Sequence, residues 1–303
     1  MTTGATARQP MMTANRDDLI TAEMRSERKR IIGRLLRHRG GVVGAVILLI
    51  LFLVAIFAPI IAPYDPIKIT GADALQGPSA KHLMGTDNFG RDILSRVVFG
   101  ARLSLRMGFI AIAIAAVIGT LIGLVAGSYG GWIESLLMRF VDALMAFPGI
   151  LLALAVTAML GPGLTNSMIA VGISFIPSFA RLVRSSALQV KEMTYIEAAR
   201  SIGCGTPHII RKHIFPNVLT PIIVLSTLGV ASAILIGAAL SFLGLGAQPP
   251  SAEWGIMLAE GRQFMRTAWW IMAFPGLAIT ITVIAANLIG DGVRDALDPR
   301  LKV

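Results

Sequence analysis

The chain has 303 residues, 55% of them hydrophobic and 15% charged, with a formal net charge of +10. A soluble domain carries about 25% charged residues, so this composition excludes an ordinary water-soluble protein, and the apolar residues are gathered into long runs. The basic residues avoid those runs and cluster between them, which accounts for the charge by membrane topology and argues against nucleic acid as a partner.

Residues 1–41 read as a basic N-terminal tail. Within it, 26–39, SERKRIIGRLLRHR, has the spacing of an amphipathic helix with Ile31, Ile32, Leu35 and Leu36 on one face. Two readings stay open: a surface helix on anionic membrane lipid, or a solvated basic flank that sets topology.

A transmembrane domain is expected over 42–303. A span needs roughly 20 mostly apolar residues, and six segments qualify, at about 42–63, 103–127, 135–160, 167–187, 218–240 and 271–290. The first outruns the h-region of a signal peptide and starts late, so a retained anchor is expected. The third holds Asp142, with Arg139 three residues earlier as its expected partner near the cytoplasmic end. The fourth is the weakest: its clean stretch, 168–180, contains Pro177, and Arg181 and Arg184 must snorkel to the interface. Gly119, Gly123, Pro148, Pro177, Pro221 and Pro275 suit close approach and kinks in membrane helices.

Orientation follows from Lys and Arg. One side collects Arg8, Arg16, Arg25, Arg28, Lys29, Arg30, Arg34, Arg37 and Arg39 before the first span. The fourth-to-fifth connection adds Arg181, Arg184, Lys191, Arg200, Arg211 and Lys212, and the end adds Arg294, Arg300 and Lys302. The other side holds Lys68, Lys81, Arg91, Arg96, Arg262 and Arg266. Both termini are therefore expected in the cytoplasm. Two long loops, 64–100 and 241–270, face outward. In the first, Asp87, Arg91, Asp92 and Arg96 alternate in sign at helical spacing and predict a salt-bridged re-entry helix. In the second, Gly244, Gly246, Pro249 and Pro250 forbid a continuous helix, and Trp254, Trp269 and Trp270 suit the outer interface.

Chemistry on the chain itself is not expected. None of the six lysines follows a glycine, so there is no GxxxxGK[ST] phosphate loop; if ATP drives the protein, it binds on another chain. No HExxH stands in the sequence, the single Cys204 lacks zinc-site spacing, and His38, His82, His208 and His213 fall outside the spans. No base at membrane depth is available to an intramembrane protease. Few carboxylates fall within the spans, which argues against an ion-coupled secondary carrier.

The most informative stretch is 191–217, KEMTYIEAARSIGCGTPHIIRKHIFPN. Residues 188–202 are rich in helix formers, and Gly203-Cys204-Gly205 breaks that helix. Thr206 is expected to cap a second helix with Pro207 in its first turn. Pro216 is expected to end or kink it where the fifth span begins. The product is a helix–turn–helix on the cytoplasmic face.

This segment resembles the coupling loop of bacterial ABC-type importer permeases, in which Glu-Ala-Ala is followed by three residues, Gly, nine residues and Ile-x-Leu-Pro. Glu197, Ala198, Ala199, Gly203 and Pro216 match; His213 and Phe215 depart. GTDNFGRDILSRVVFGARLSL at 85–105, SFLGLGAQPPSAEW at 241–254 and GDGVRDALDPRLKV at 290–303 are similar to stretches shared by dipeptide, oligopeptide, glutathione and nickel permeases, and specifically to their "C"-type member. The resemblance covers the chain from about Gly33 onward. It implies an all-α membrane protein of six transmembrane helices, the type I importer permease fold, with no reaction catalysed and no cofactor on this chain. It implies a second, homologous permease, two ATP-binding subunits docked on 188–217, and an extracytoplasmic solute-binding protein, all at the bacterial inner membrane. Peptide cargo is favoured, with nickel import as the alternative within the family.

Overall fold

The computed structural model describes residues 33–34 and 37–297. The amphipathic helix expected over 26–39 lies mostly outside them, as do the basic residues before position 33 and Arg300 and Lys302. The fold is helical. Among the described residues five helices are long and apolar enough to cross a membrane: α1 (Arg39–Ile56), α3 (Ile93–Tyr129), α6 (Leu164–Lys191), α8 (Thr206–Phe242) and α10 (Trp270–Leu297). The shorter helices are α2 (Ala58–Ile61), α4 (Gly131–Met145), α5 (Gly149–Leu160), α7 (Thr194–Ser201) and α9 (Trp254–Gly261).

The third expected span, 135–160, is not one helix. Its residues fall in α4 and α5, which meet at 93°. Pro148 supplies the cause: it disfavours a helical backbone at Phe147, lacks an N–H, and itself adopts extended angles, φ −53° and ψ 133°, at the start of α5. The apolar run is unbroken in composition, so only the proline marks the bend.

Small residues set the packing directions. Gly119, Gly123 and Gly127 form a one-per-turn stripe along α3. A Cβ on Gly119 would lie 2.5 Å from Phe179, one on Gly123 2.5 Å from the Ala180 carbonyl, and one on Gly127 2.8 Å from Ala187. Glycine is what lets the two backbones come this close. Residue numbers rise together on both helices, so α3 and α6 run parallel. The chain leaves α3 at Tyr129, beside Lys191, and enters α6 at Leu164, where the Gly163 N–H donates to Leu245. The α4–α5 pair therefore carries the chain from one face of the bundle to the other and counts as a broken sixth span. Antiparallel partners follow the same logic. Gly108 and Gly229 bring α3 and α8 together at Ile234 and Ile112. Gly44 lets α1 pack on Ala285 and Leu288 of α10, and His38 Nε2 lies 3.3 Å from Asp295. The described ends of the chain thus share one face.

That face also holds 184–217. The opposite face carries 58–104 and 241–270, which close over the first third of α3. At about 1.5 Å per residue α3 is about 55 Å long, well beyond the roughly 30 Å hydrocarbon core. Its first turns are therefore clad in loop rather than lipid: Ile93, Ser95, Arg96 and Val98 are all buried.

Candidate coupling surface and the outer cap

The helix–turn–helix is present. α7 is docked by Ile196 and Ala199, and the start of α8 by Ile209 and Ile214, all four buried. The reversal between them is a Schellman closure. The Cys204 N–H donates to the Ala199 carbonyl at 3.0 Å, the Gly203 N–H donates to Arg200 at 2.9 Å, and Gly203 holds φ +87°. Of the expected coupling residues, Glu197 and Ala198 point outward, Ala199 packs inward under the turn, and Gly203 has open space around it. Ile202, 81% exposed, adds an apolar tip that the sequence pattern did not single out.

Two expectations about this segment are corrected. Gly205, not Thr206, holds the N-cap position of the second helix, and no side chain caps it; Pro207 sits in the first turn as expected. Of the two outcomes expected at Pro216, an end to the helix is excluded. A π-turn at Ile210–Ile214, in which the Phe215 N–H donates to Ile210, widens the helix just before the proline, and α8 continues to Phe242. Pro216 is therefore set apart from Glu197, Ala198, Ala199 and Gly203, on α8. His213 turns toward α7, its ring centroid 5.9 Å from that of Tyr195, and Asn217 reaches the Tyr195 hydroxyl at 3.4 Å.

Next to this surface, α4 and α6 are joined by ion pairs. Asp142 accepts from Arg181 at 2.6 Å, and Glu134 accepts from Arg184 Nε at 2.6 Å. Asp142 is thus paired, though not with Arg139: the parallel packing of α3 and α6 brings the α6 arginines beside α4. The pair is half-exposed, so its role is positional more than stabilising.

The outer cap holds the most buried charge. Asp87 Oδ1 accepts the backbone N–H groups of Phe89 and Arg91 at 2.8 and 2.9 Å, and Gly90 follows at φ +76°. A Cβ at Gly90 would sit 1.9 Å from the Thr70 carbonyl oxygen. This is a tight polar turn, not the expected re-entry helix, because the Asp87 side chain takes the amides that a helix would use. Asp92 begins α3, accepting from the Ser95 N–H at 2.8 Å, and pairs with His82 Nδ1 at 2.9 Å. Arg91 and Arg96, both buried, each donate to Glu260 at 2.9 Å. Sequence reading missed Glu260, which lies 169 residues from Arg91 and outside every motif.

Glu253 is buried as well. It caps α9 through the Ile256 N–H at 3.1 Å and accepts from Ser104 at 3.2 Å, and its burial pushes the carboxyl above the usual carboxylate range. Trp254 and Trp270 are not interface anchors. Both are buried: Trp254 lies against Gly100 and donates to the Val97 carbonyl, and Trp270 lies against Gly85 and donates to that of Thr86, each at 3.0 Å. Only Trp269, 56% exposed, is placed as expected.

Comparison with known proteins agrees with this architecture. Residues 119–303 match the family model described as binding-protein-dependent transport system inner membrane component. Residues 26–78 match the N-terminal TM domain of oligopeptide transport permease C. The dipeptide transport system permease protein of Alkalihalophilus pseudofirmus is 50% identical over 89% of this chain and 88% of its own. A glutathione transport system permease protein of Escherichia coli is 52% identical over 89% of each chain. A chain of a methionine ABC transporter, solved in inward-facing conformations, superposes with a TM-score of 0.55 at 21% identity, covering 68% of this chain and 98% of that one.

Proposed function

This chain belongs to the family of binding-protein-dependent transport system inner membrane components, the multi-pass, non-enzymatic permeases of ABC-type importers. From that premise we propose that it forms half of a pathway importing peptides, either di- or oligopeptides or glutathione, across the bacterial inner membrane. A second, homologous permease supplies the other half. Two ATP-binding subunits hold the nucleotide, one docking on 188–217, and an extracytoplasmic binding protein delivers cargo to the outer cap. The enrichment of Lys and Arg on the face carrying the hairpin supports a cytoplasmic location for that face and for both termini.

The observation that carries this reading is the hairpin itself. Ile196, Ala199, Ile209 and Ile214 are buried, while Glu197, Ala198 and Ile202 are left exposed on its far side. Closure of an ATPase dimer pushes on the exposed side, and the docked side passes the motion into α6 and α8. Such a switch needs two states that nucleotide and cargo both bias. The relatives named for dipeptide and glutathione transport support peptide cargo.

The test is gentle detergent purification of the chain from its native membrane, with mass spectrometry of its companions and ATP-dependent uptake of labelled dipeptide, glutathione and nickel in vesicles. Copurification of a second permease and ATP-binding subunits, with ATP-driven peptide uptake, is expected. Nickel uptake alone replaces the cargo assignment. Transport by the chain alone, without ATP, overturns the reading in favour of a secondary carrier.

A further inference from the structure

Arg91 and Arg96 of the cap and Arg181 and Arg184 of the α4–α6 pairing have carboxylate partners, whereas Arg102 and Arg106, like Arg139, Arg262 and Arg266, have none among the described residues. Both are exposed and stand one turn apart near the outer end of α3. They share one groove of about 370 Å³ between α1 and α3, whose remaining wall is Phe52, Ala55, Ile56, Leu105, Phe109 and Ile110. Phe52 and Phe109 meet at its inner end with ring centroids 5.3 Å apart.

The level of the two cations follows from the helices. Along α3, Arg106 lies about 4 Å and Arg102 about 10 Å nearer the outer end than Phe109. On α1, Ile56 is the last residue before the chain turns at Phe57 into the single turn of α2, after which the outer loop begins. The guanidinium groups therefore stand where the apolar span gives way to the outer membrane surface. A cation at that depth is costly unless its head reaches the interface and finds an anion.

We propose that this groove binds one anionic phospholipid of the outer leaflet, its phosphate held by Arg102 and Arg106 and an acyl chain lying along Phe52, Ala55 and Phe109. The chemistry is complementary at both ends. Two guanidinium forks offer paired N–H donors to phosphate oxygens, and the wall beneath them is entirely apolar. Surface arginines on a soluble protein need no such partner, but here water is available on one side only. The site is independent of the cargo assignment, since it requires only that α1 and α3 lie in a membrane.

The experiment is native mass spectrometry of the detergent-purified transporter, with whatever subunits it retains, titrated with dioleoylphosphatidylglycerol or dioleoylphosphatidylcholine. The wild type should retain phosphatidylglycerol at roughly tenfold lower concentration than phosphatidylcholine, two basic side chains each adding a modest electrostatic preference. R102Q/R106Q should lose that preference, and A55F, which fills the groove, should weaken retention of both lipids. K68Q/R266Q, which removes two exposed outer cations elsewhere, should change neither. Equal retention of the two lipids by the wild type overturns the proposal, as does an undiminished preference in R102Q/R106Q. Competition by millimolar inorganic phosphate at full strength shows a free-anion site instead. Loss of a companion subunit in R102Q/R106Q, without change in lipid, shows that a protein carboxylate covers the groove.

Discussion

The Cys204 N–H donates to the Ala199 carbonyl at 3.0 Å, and this bond closes the reversal that presents Glu197 and Ala198 on the face of the bundle. The bond forms only because Gly203 holds φ +87°. A Cβ there meets nothing within 4 Å, so Gly203→Ala costs only backbone strain, about 1–2 kcal/mol. Faster hydrogen exchange confined to 194–205 is the expected signature. Gly203→Pro cannot reach a positive φ and should unfold the reversal outright, removing transport from a protein that still inserts.

Changing the outward face should separate coupling from folding. Glu197 and Ala198 are exposed, and Glu197 has no ion-pair partner among the described residues. Glu197→Lys and Ala198→Trp should therefore leave membrane insertion and melting temperature unchanged. ATP-driven uptake in vesicles should fall at least tenfold, because the partner's cleft must now accept a reversed charge or a bulky ring. Normal uptake by both variants would sink the assignment of this hairpin to coupling.

Glu260 is the anion shared by Arg91 and Arg96, which are 3% and 1% exposed. Glu260→Ala leaves two buried guanidinium groups with only Asp87 between them. Removing one partner of a buried network typically costs about 3–5 kcal/mol. The melting temperature in detergent should drop by several degrees, and proteolysis should begin in the loops at 64–92 and 243–269. An unchanged melt would mean that the cap is held by Trp254 and Trp270 rather than by charge.

Glu253 gives a pH dependence of unusual sign. Burial raises its carboxyl, so between its unfolded and folded pKa the native state holds the proton that the unfolded state has released. Stability from this group is then greatest below the unfolded value of about 4.5 and falls as pH rises through the folded pKa. Glu253→Gln keeps an acceptor for the Ile256 N–H and carries no charge. The variant should match the wild type in melting temperature at low pH and exceed it increasingly as pH rises. A constant difference across pH would show that the carboxyl is not raised.

What the sequence revealed depended on how far apart the interacting residues lie. The reversal between α7 and α8 was legible because Gly203, Gly205 and Pro207 act within a few residues, and each carries its conformational preference locally. Asp142 was read with Arg139, its near neighbour in sequence, because nothing local indicates that α6 delivers Arg181 from 39 residues away. Glu260 joins Arg91 across 169 residues and was invisible for the same reason. Trp254 and Trp270 were placed at the interface because indole favours it on average; only the glycines facing them, Gly100 and Gly85, show that they are buried.

The 93° bend between α4 and α5 leads to a topology that labelling can read. Taken alone, such a pair could dip into the membrane and return, giving five crossings. The parallel packing of α3 and α6 forbids that. Gly119, Gly123 and Gly127 meet Phe179, Ala180 and Ala187 in rising order, so the chain must be carried back across before α6 begins. Trp132, 74% exposed at the start of α4, and Ile202 on the hairpin then share one face, while Pro162 lies on the other. In a Cys204→Ser background, Pro162→Cys should react with a membrane-impermeant maleimide in right-side-out vesicles. Trp132→Cys and Ile202→Cys should react only in inverted vesicles. If all three cysteines label from the same side, the α4–α5 pair is re-entrant, and the parallel packing of α3 and α6 fails with it.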